Sequence, residues 1–175
     1  MDKYFLICAL GIAIVGAVKD VAGRRIPNWL TYSGLLAALI VRVTFAGWLG
    51  LKVGLAGMAL AGGIFFVLFM LGGMGGGDVK LMAAVGAWAG AVQVVSLLIV
   101  AAITGGILAV GYMILRRQVR ETLMNTLELV RHHATSGLRP HPVLNVQQLG
   151  TLRLPYGLAI AIGTFYCVGN VFWWR

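Results

Sequence analysis

Apolar residues fill most of the chain in long runs, and polar residues are confined to short segments between them. A membrane-spanning helix needs roughly 20 apolar residues. The run at 81–115 carries no charge and is too long for one crossing, so we predict two spans with a turn near Ala91–Gln93. The pattern therefore predicts an all-α membrane protein with six transmembrane helices, drawn from the apolar runs at residues 4–18, 29–48, 52–71, 81–115 and 154–174.

The composition supports a membrane location. Of the 175 residues, 60% are hydrophobic and only 11% are charged, whereas soluble domains usually carry about 25% charged residues. Too little polar surface is present to cover a soluble globule. This excludes an ordinary soluble domain, a disordered chain and a free nucleic-acid-binding module. We expect one membrane-embedded domain over residues 1–175, with membrane lipid around it and no nucleic-acid partner.

The basic residues predict an orientation. The chain has 14 Lys and Arg against 5 Asp and Glu, a formal net charge of +9. Cytoplasmic loops of membrane proteins carry an excess of Lys and Arg, and an N-terminus outside the cytoplasm gives the strongest such bias. The first apolar run lacks a small-residue cleavage site, so we expect it to be a retained helix. Four cations then lie outside, namely Lys3, Arg42, Lys52 and Arg175, and ten lie inside, namely Lys19, Arg24, Arg25, Lys80, Arg116, Arg117, Arg120, Arg131, Arg139 and Arg153.

The one long polar segment, 116–153, would form the cytoplasmic loop between transmembrane helices 5 and 6. Val119, Leu123, Leu127 and Val130 recur at the spacing of one helix face, and arginines flank them. The simplest interpretation is an amphipathic helix that lies on the anionic inner leaflet. A role in guiding substrate or binding a partner is the alternative.

Metal ligands are sparse in the sequence. Cys8 and Cys167 are far apart and form no C-x-x-C pair, which excludes a zinc ribbon. His132 and His133 are adjacent, so on a helix they would point about 100° apart and make a poor metal-binding face. We expect no metal and no cofactor.

The few acids are the most informative residues. Asp20 ends the first predicted span and Asp78 begins the fourth, so both would lie at the cytoplasmic membrane boundary. Two carboxylates that meet share a proton, so one can take a proton from water while the other protonates a peptide carbonyl. Taken singly, Asp20 could pair with Lys19 or Arg24 in a solvated loop, and Asp78 could be the N-cap of a helix. The pair could also bind a cation or relay protons in a small transporter.

Three sequence elements together resemble those of type IV prepilin peptidases, which are intramembrane aspartyl proteases. Gly75-Gly76-Gly77-Asp78 fits the G-x-G-D signature of that class, and Val79-Lys80-Leu81 extends it to the G-x-G-D-x-K-L form. Asp20 followed by Arg25-Ile26-Pro27-Asn28 is similar to the family's first aspartate motif. The segment from Leu154 to Ile160 resembles its C-terminal Pro-Tyr-Gly-x-Ala-Ile element.

The resemblance implies a role for each matching residue. Asp20 and Asp78 would be the catalytic dyad, with Gly75 and Gly77 shaping the turn that presents Asp78. Lys80 would stabilise negative charge on the dyad or hold the substrate, unless it is a structural lysine at the membrane surface. The remaining matching positions would shape the dyad or bind substrate: Asn28 at the start of the second helix, and Pro155 and Gly157 where the last helix approaches the dyad.

The resemblance also implies a substrate. It would be a prepilin-like precursor with a basic leader and a hydrophobic helix, cleaved at the cytoplasmic face of the inner membrane. The chain looks like the short, peptidase-only form of tight-adherence (Flp) pilus systems and of archaeal preflagellin peptidases. It shows no segment with two C-x-x-C pairs, so no N-methyltransferase activity is expected. A non-catalytic pilus-assembly subunit is the remaining alternative.

Overall fold

A computed structural model describes residues 2–117, 119–136 and 155–173, and every element within those ranges is a helix. The sequence prediction of an all-α protein is confirmed for this part of the chain. The six helices are α1 (Asp2–Gly23), α2 (Asn28–Met70), α3 (Gly76–Ala89), α4 (Ala91–Leu115), α5 (Val119–Ser136) and α6 (Tyr156–Trp173).

Four of these helices are long and apolar enough to cross a membrane: α1 from Lys3, α2, α4 and α6. The chain is therefore a membrane protein. The α3 helix has 14 residues and is about 21 Å long at 1.5 Å per residue, shorter than the roughly 30 Å apolar core of a bilayer. The structure thus offers four candidate spanning helices, one of which is the 43-residue α2, and the count of six crossings stays a prediction.

The two runs predicted as separate spans at 29–48 and 52–71 belong to one helical element, α2, which is broken at Gly47. That glycine has φ 56° and ψ −149°, in the left-handed region that residues with a side chain rarely adopt. A methyl group built on Gly54 would lie 3.4 Å from Leu39 Cδ2, which is possible only if the chain folds back. The α2 element is therefore a hairpin of two arms, residues 28–46 and 48–70.

The break between α3 and α4 falls at Gly90, with φ 80° and ψ 157°. The turn predicted near Ala91–Gln93 was placed slightly too late, because these residues already form the start of α4. The backbone conformation explains the difference, since a positive φ is accessible to glycine at little cost.

Arg42 is buried and fixes the C-terminal end of α3. Its side chain is 4% exposed. Its Nε donates to the Ala87 carbonyl at 2.7 Å and its Nη2 to the Trp88 carbonyl at 2.6 Å. The last carbonyls of a helix have no N–H donor within the helix itself, and the guanidinium supplies a donor to two of them. The guanidinium also lies 4.6 Å from the centre of the Phe5 ring. Arg42 therefore joins α1, α2 and α3, and its position on the outer side of the membrane stays a prediction.

Small residues let the second arm of α2 pack closely against α3. A methyl group on Gly86 would lie 2.6 Å from Ala61 Cβ, and a methyl group on Gly57 would collide with the Gly86 carbonyl. Backbones that approach this closely gain van der Waals contact, which drives helix association within a bilayer. This packing holds α3 inside the bundle.

The loop after α4 contains the predicted helix. α5 covers Val119–Ser136, and the side chains of Val119, Leu123 and Leu127 on its apolar face are exposed. The helix is confirmed, and its contact with the inner leaflet stays a prediction. The rest of the predicted loop, 137–153, lies outside the described residues.

Candidate active site

Asp20 lies in the last turn of α1 and points into the bundle. The helix continues through Lys19 and Asp20 to Gly23, whereas the sequence pattern suggested that this polar pair ends it. The Asp20 side chain is 7% exposed, and its Oδ2 accepts the backbone N–H of Gly157 at 2.9 Å. The interpretation of Asp20 as a residue of a solvated loop is therefore wrong.

Gly157 lies at the start of α6, where backbone N–H groups lack an acceptor within the helix and favour a negative charge nearby. The Asp20 carboxylate supplies that acceptor. A methyl group on Gly157 would lie 3.0 Å from Asp20 Cβ and 3.2 Å from Ala17 Cα. The close approach of α1 to α6 therefore requires glycine at this position.

Asp78 occupies the third position of α3 and is 8% exposed. Its Oδ2 accepts the N–H of Gly75 at 3.2 Å, and its own N–H donates to the Gly75 carbonyl at 3.1 Å. Gly75, and not Asp78, is the N-cap residue of α3, so the N-cap interpretation of Asp78 is wrong. The reciprocal bonds close the glycine turn and hold the carboxylate at the start of the helix.

The two carboxyl groups are close enough to interact electrostatically. Asp78 lies outside the candidate spanning helices, and its pKa is raised from 3.8 to about 7. Burial is the main cause, the negative charge of Asp20 adds to the rise in pKa, and the hydrogen bond from Gly75 opposes it. Near neutral pH, Asp78 is therefore poised between its protonated and ionised forms, as a general acid or base requires.

The other residues singled out in the sequence surround the same end of the bundle. A methyl group on Gly77 would lie 3.3 Å from Ile26 Cβ, so the glycine turn packs on the start of α2. Lys80 Nζ donates to Asn28 Oδ1 at 3.0 Å and lies 5.2 Å from the centre of the Tyr32 ring. Lys80 and Asn28 therefore link α3 to α2 beside the acids. Pro155 is partly buried and directly precedes α6.

Sequence reasoning missed two features of the structure. One is the buried Arg42 at the opposite end of α3 from Asp78, for which a single charge inside an apolar run is the available signal. The other is a cavity of about 450 Å³ between α2, α4 and α6, whose lining includes Met74 and Tyr156. No local pattern marks the cavity, because its walls come from distant parts of the chain.

Within the described ranges, no group of three or more His, Cys, Asp or Glu side chains could hold a metal ion. What the site does offer is a pair of carboxylates, each held by a glycine N–H at the start of a helix. Such a pair can accept one proton and donate another, which is the requirement for hydrolysis by an activated water.

The chain was compared with models of known protein families, with curated proteins and with solved structures. A model of the type IV leader peptidase family matches residues 6–110. The match runs from α1 into α4 and contains both Asp20 and Asp78, whereas α6 with Gly157 lies outside it. Searches of curated proteins and of solved structures each found no match.

Proposed function

The chain belongs to the type IV leader peptidase family, and on this basis we propose that it is an aspartic endopeptidase of the inner membrane. It removes the basic leader from pilin-like precursors at the cytoplasmic face. Membership in a peptidase family favours this function over a cation transporter or a non-catalytic assembly subunit.

One observation carries the proposal. Asp20 and Asp78 come from helices that are distant in sequence, yet both carboxylates are buried at one end of the bundle and interact electrostatically. Burying a charged group in an apolar protein costs free energy, so the charged groups that are buried are normally paired or have a function. Each carboxylate is held by one backbone N–H, which orients it and leaves further lone pairs open to water and substrate.

In the proposed mechanism, the pair begins the reaction with one shared proton. The ionised carboxylate takes a proton from water as the water oxygen attacks the carbonyl carbon of the scissile amide. The protonated carboxyl group donates its proton to the carbonyl oxygen, which gives a tetrahedral diol. The carboxyl group that took the proton from water then donates it to the amide nitrogen, the other carboxylate takes a hydroxyl proton from the diol, and the C–N bond breaks to release the amine and the carboxylic acid with the shared proton restored. The pair titrates as a unit, so either aspartate serves as the acid depending on the position of the proton.

The location of the acids supports cleavage at the membrane surface. Asp20 lies near the end of α1, and the exposed Arg24 and Arg25 follow the end of that helix. Basic residues of this kind favour the cytoplasmic side. A precursor whose hydrophobic helix lies in the bilayer would present the junction with its leader at this depth.

The test is cleavage of a pilin precursor in membranes that contain the wild-type chain, Asp20→Asn or Asp78→Asn. Asn has nearly the same shape but exchanges no proton, so each variant should lose about 10²- to 10⁴-fold in rate. Glu128→Gln on α5 is the matched control, because it removes a carboxylate elsewhere and should cleave like the wild type. Cleavage retained by both Asp variants would contradict the proposal.

A further inference from the structure

The cavity between the second arm of α2, α4 and α6 adjoins the acid pair. Its volume is about 450 Å³, roughly three times the ~150 Å³ cavity that holds one benzene ring in a protein core. It can therefore take several large side chains from one turn of a helix. Among the described residues that line it, Tyr156 is the one with a polar side chain, and the other lining residues from outside α4 are Ile64, Phe65, Leu68, Met74, Ala159 and Ile160.

One end of the cavity meets the residues that hold the carboxylates. Met74 lines it and directly precedes Gly75, whose N–H binds Asp78. Tyr156 lines it from α6 and directly precedes Gly157, whose N–H binds Asp20. Two lining residues of the cavity are therefore bonded directly to the glycines whose N–H groups bind the acids.

The cavity also opens toward the surroundings of the bundle. Ile64 and Ile99 line it and are 42% and 56% exposed. A methyl group on Gly106, another lining residue, would meet nothing within 4 Å. An apolar segment can therefore enter from the side of the bundle, through the bilayer, without passing through water.

We propose that this cavity binds the hydrophobic helix of the precursor immediately after the cleavage junction. The inference rests on the proposed function and adds the place where the substrate binds. Continuity with the acid pair identifies the occupant, because the substrate must place an apolar helix in the bilayer and its junction at the carboxylates simultaneously. A lipid acyl chain would also lie in the bilayer, but it has no cleavage junction to place at the carboxylates.

Filling the cavity from α4 tests this assignment. Gly106→Leu places an isobutyl group in the open space and should raise the KM for the precursor on the order of tenfold, because one apolar side chain of the substrate loses its place. Gly111→Leu is the matched control on the same helix. A methyl group there also meets nothing within 4 Å, and Gly111 does not line the cavity, so its KM should match that of the wild type.

A cross-linking experiment measures binding without catalysis. A photoreactive residue in place of Ile99, in an Asp78→Asn chain, should cross-link to the hydrophobic segment of the precursor. The same residue in place of Ile107, which is exposed on α4 away from the cavity, should not. Equal cross-linking at both positions, or cross-linking to lipid alone, would overturn the inference.

The two proposals fail in different ways. If the wild type cleaves no precursor, the proposed function is wrong and the inference falls with it. If the wild type cleaves the precursor while Gly106→Leu keeps the wild-type KM, the peptidase assignment stands and the cavity is not the substrate site. Equal rises in KM for Gly106→Leu and Gly111→Leu would also overturn the inference, since the rise would then come from a general change in α4 and not from filling the cavity.

Discussion

Gly157→Ala is the smallest change that should disturb the acid pair. The added methyl group would lie 3.0 Å from Asp20 Cβ and 3.1 Å from Asp20 Oδ2, with Ala17 Cα at 3.2 Å. These distances are shorter than ordinary van der Waals contact, and part of the crowding comes from the α1 backbone. Either α6 moves away from α1 or the Asp20 side chain turns, and both changes stretch the 2.9 Å bond from the Gly157 N–H.

The expected magnitude follows from these contacts. A hydrogen bond to a charged group contributes about 1.5–3 kcal/mol to stability, so partial loss with some strain should lower the free energy of unfolding by about 1–3 kcal/mol. Displacing a reacting group by about 1 Å costs on the order of 10²-fold in rate. A shift of a few tenths of an ångström should therefore lower kcat by roughly 10-fold or more.

Two further glycines on α6 provide the controls. A methyl group on Gly169 meets nothing within 4 Å, so Gly169→Ala should change neither stability nor rate. A methyl group on Gly163 would lie 2.8 Å from the Leu97 carbonyl oxygen, so Gly163→Ala should destabilise the packing of α6 on α4 away from the acids.

The assay combines thermal unfolding in detergent with kcat measured on a pilin precursor over a range of pH. Gly157→Ala should lose more activity than Gly163→Ala for the same loss of stability, and its pH profile should shift because the Asp20 carboxylate has lost its donor. If Gly157→Ala and Gly163→Ala lose activity in proportion to stability and both keep the wild-type pH profile, then Gly157 does not position Asp20.

Three other outcomes are expected. Because burial and the charge of Asp20 raise the pKa of Asp78 to about 7, the pair loses its shared proton above that pH, and the cleavage rate should fall about tenfold per further pH unit. A rate that keeps rising to about pH 9 would contradict the need for a shared proton on the pair. Arg42→Met leaves two buried α3 carbonyls without their donor and should lower the free energy of unfolding by about 2–6 kcal/mol, at about 1–3 kcal/mol for each unsatisfied carbonyl. Arg42→Lys should cost less in the same thermal unfolding assay, since its ammonium can still donate; equal costs would show that these bonds contribute little. Gly86→Ala, which meets the Ala61 side chain and the Gly57 backbone of α2, should lower the melting temperature, whereas Gly63→Ala, which meets nothing within 4 Å, should leave it unchanged.

Several features of the fold could be predicted because they depend on local composition. The apolar runs predicted a helical membrane protein, and the spacing of apolar residues in the polar loop predicted the α5 helix. The helix ends were less accurate. The first apolar run predicts a helix end near Val18–Asp20, and Asp78 taken singly could be the N-cap of its helix, because charge and glycine mark the neighbourhood of a helix end. Tertiary packing decides the residue at which the helix stops.

The residues of the candidate site could be predicted from the sequence, but the contacts between them could not. The scarcity of acids singled out Asp20 and Asp78, and the three motifs resembling prepilin peptidases singled out Gly75 and Gly157. The contacts of Lys80 with Asn28 and Tyr32 could not be predicted from spacing, since they join residues about fifty positions apart in the chain.

The sequence by itself determined that the chain is an apolar, helical membrane protein and that its useful carboxylates are few. These properties follow from hydrophobicity and helix periodicity, which act within a single segment. Only the tertiary structure decided that α2 folds back at Gly47, that Arg42 binds the end of α3, that Gly157 holds Asp20, and that a cavity opens beside the acids. Each of these depends on distant glycines and polar groups meeting at van der Waals or hydrogen-bond distance, and no local pattern in the chain specifies which segments will meet.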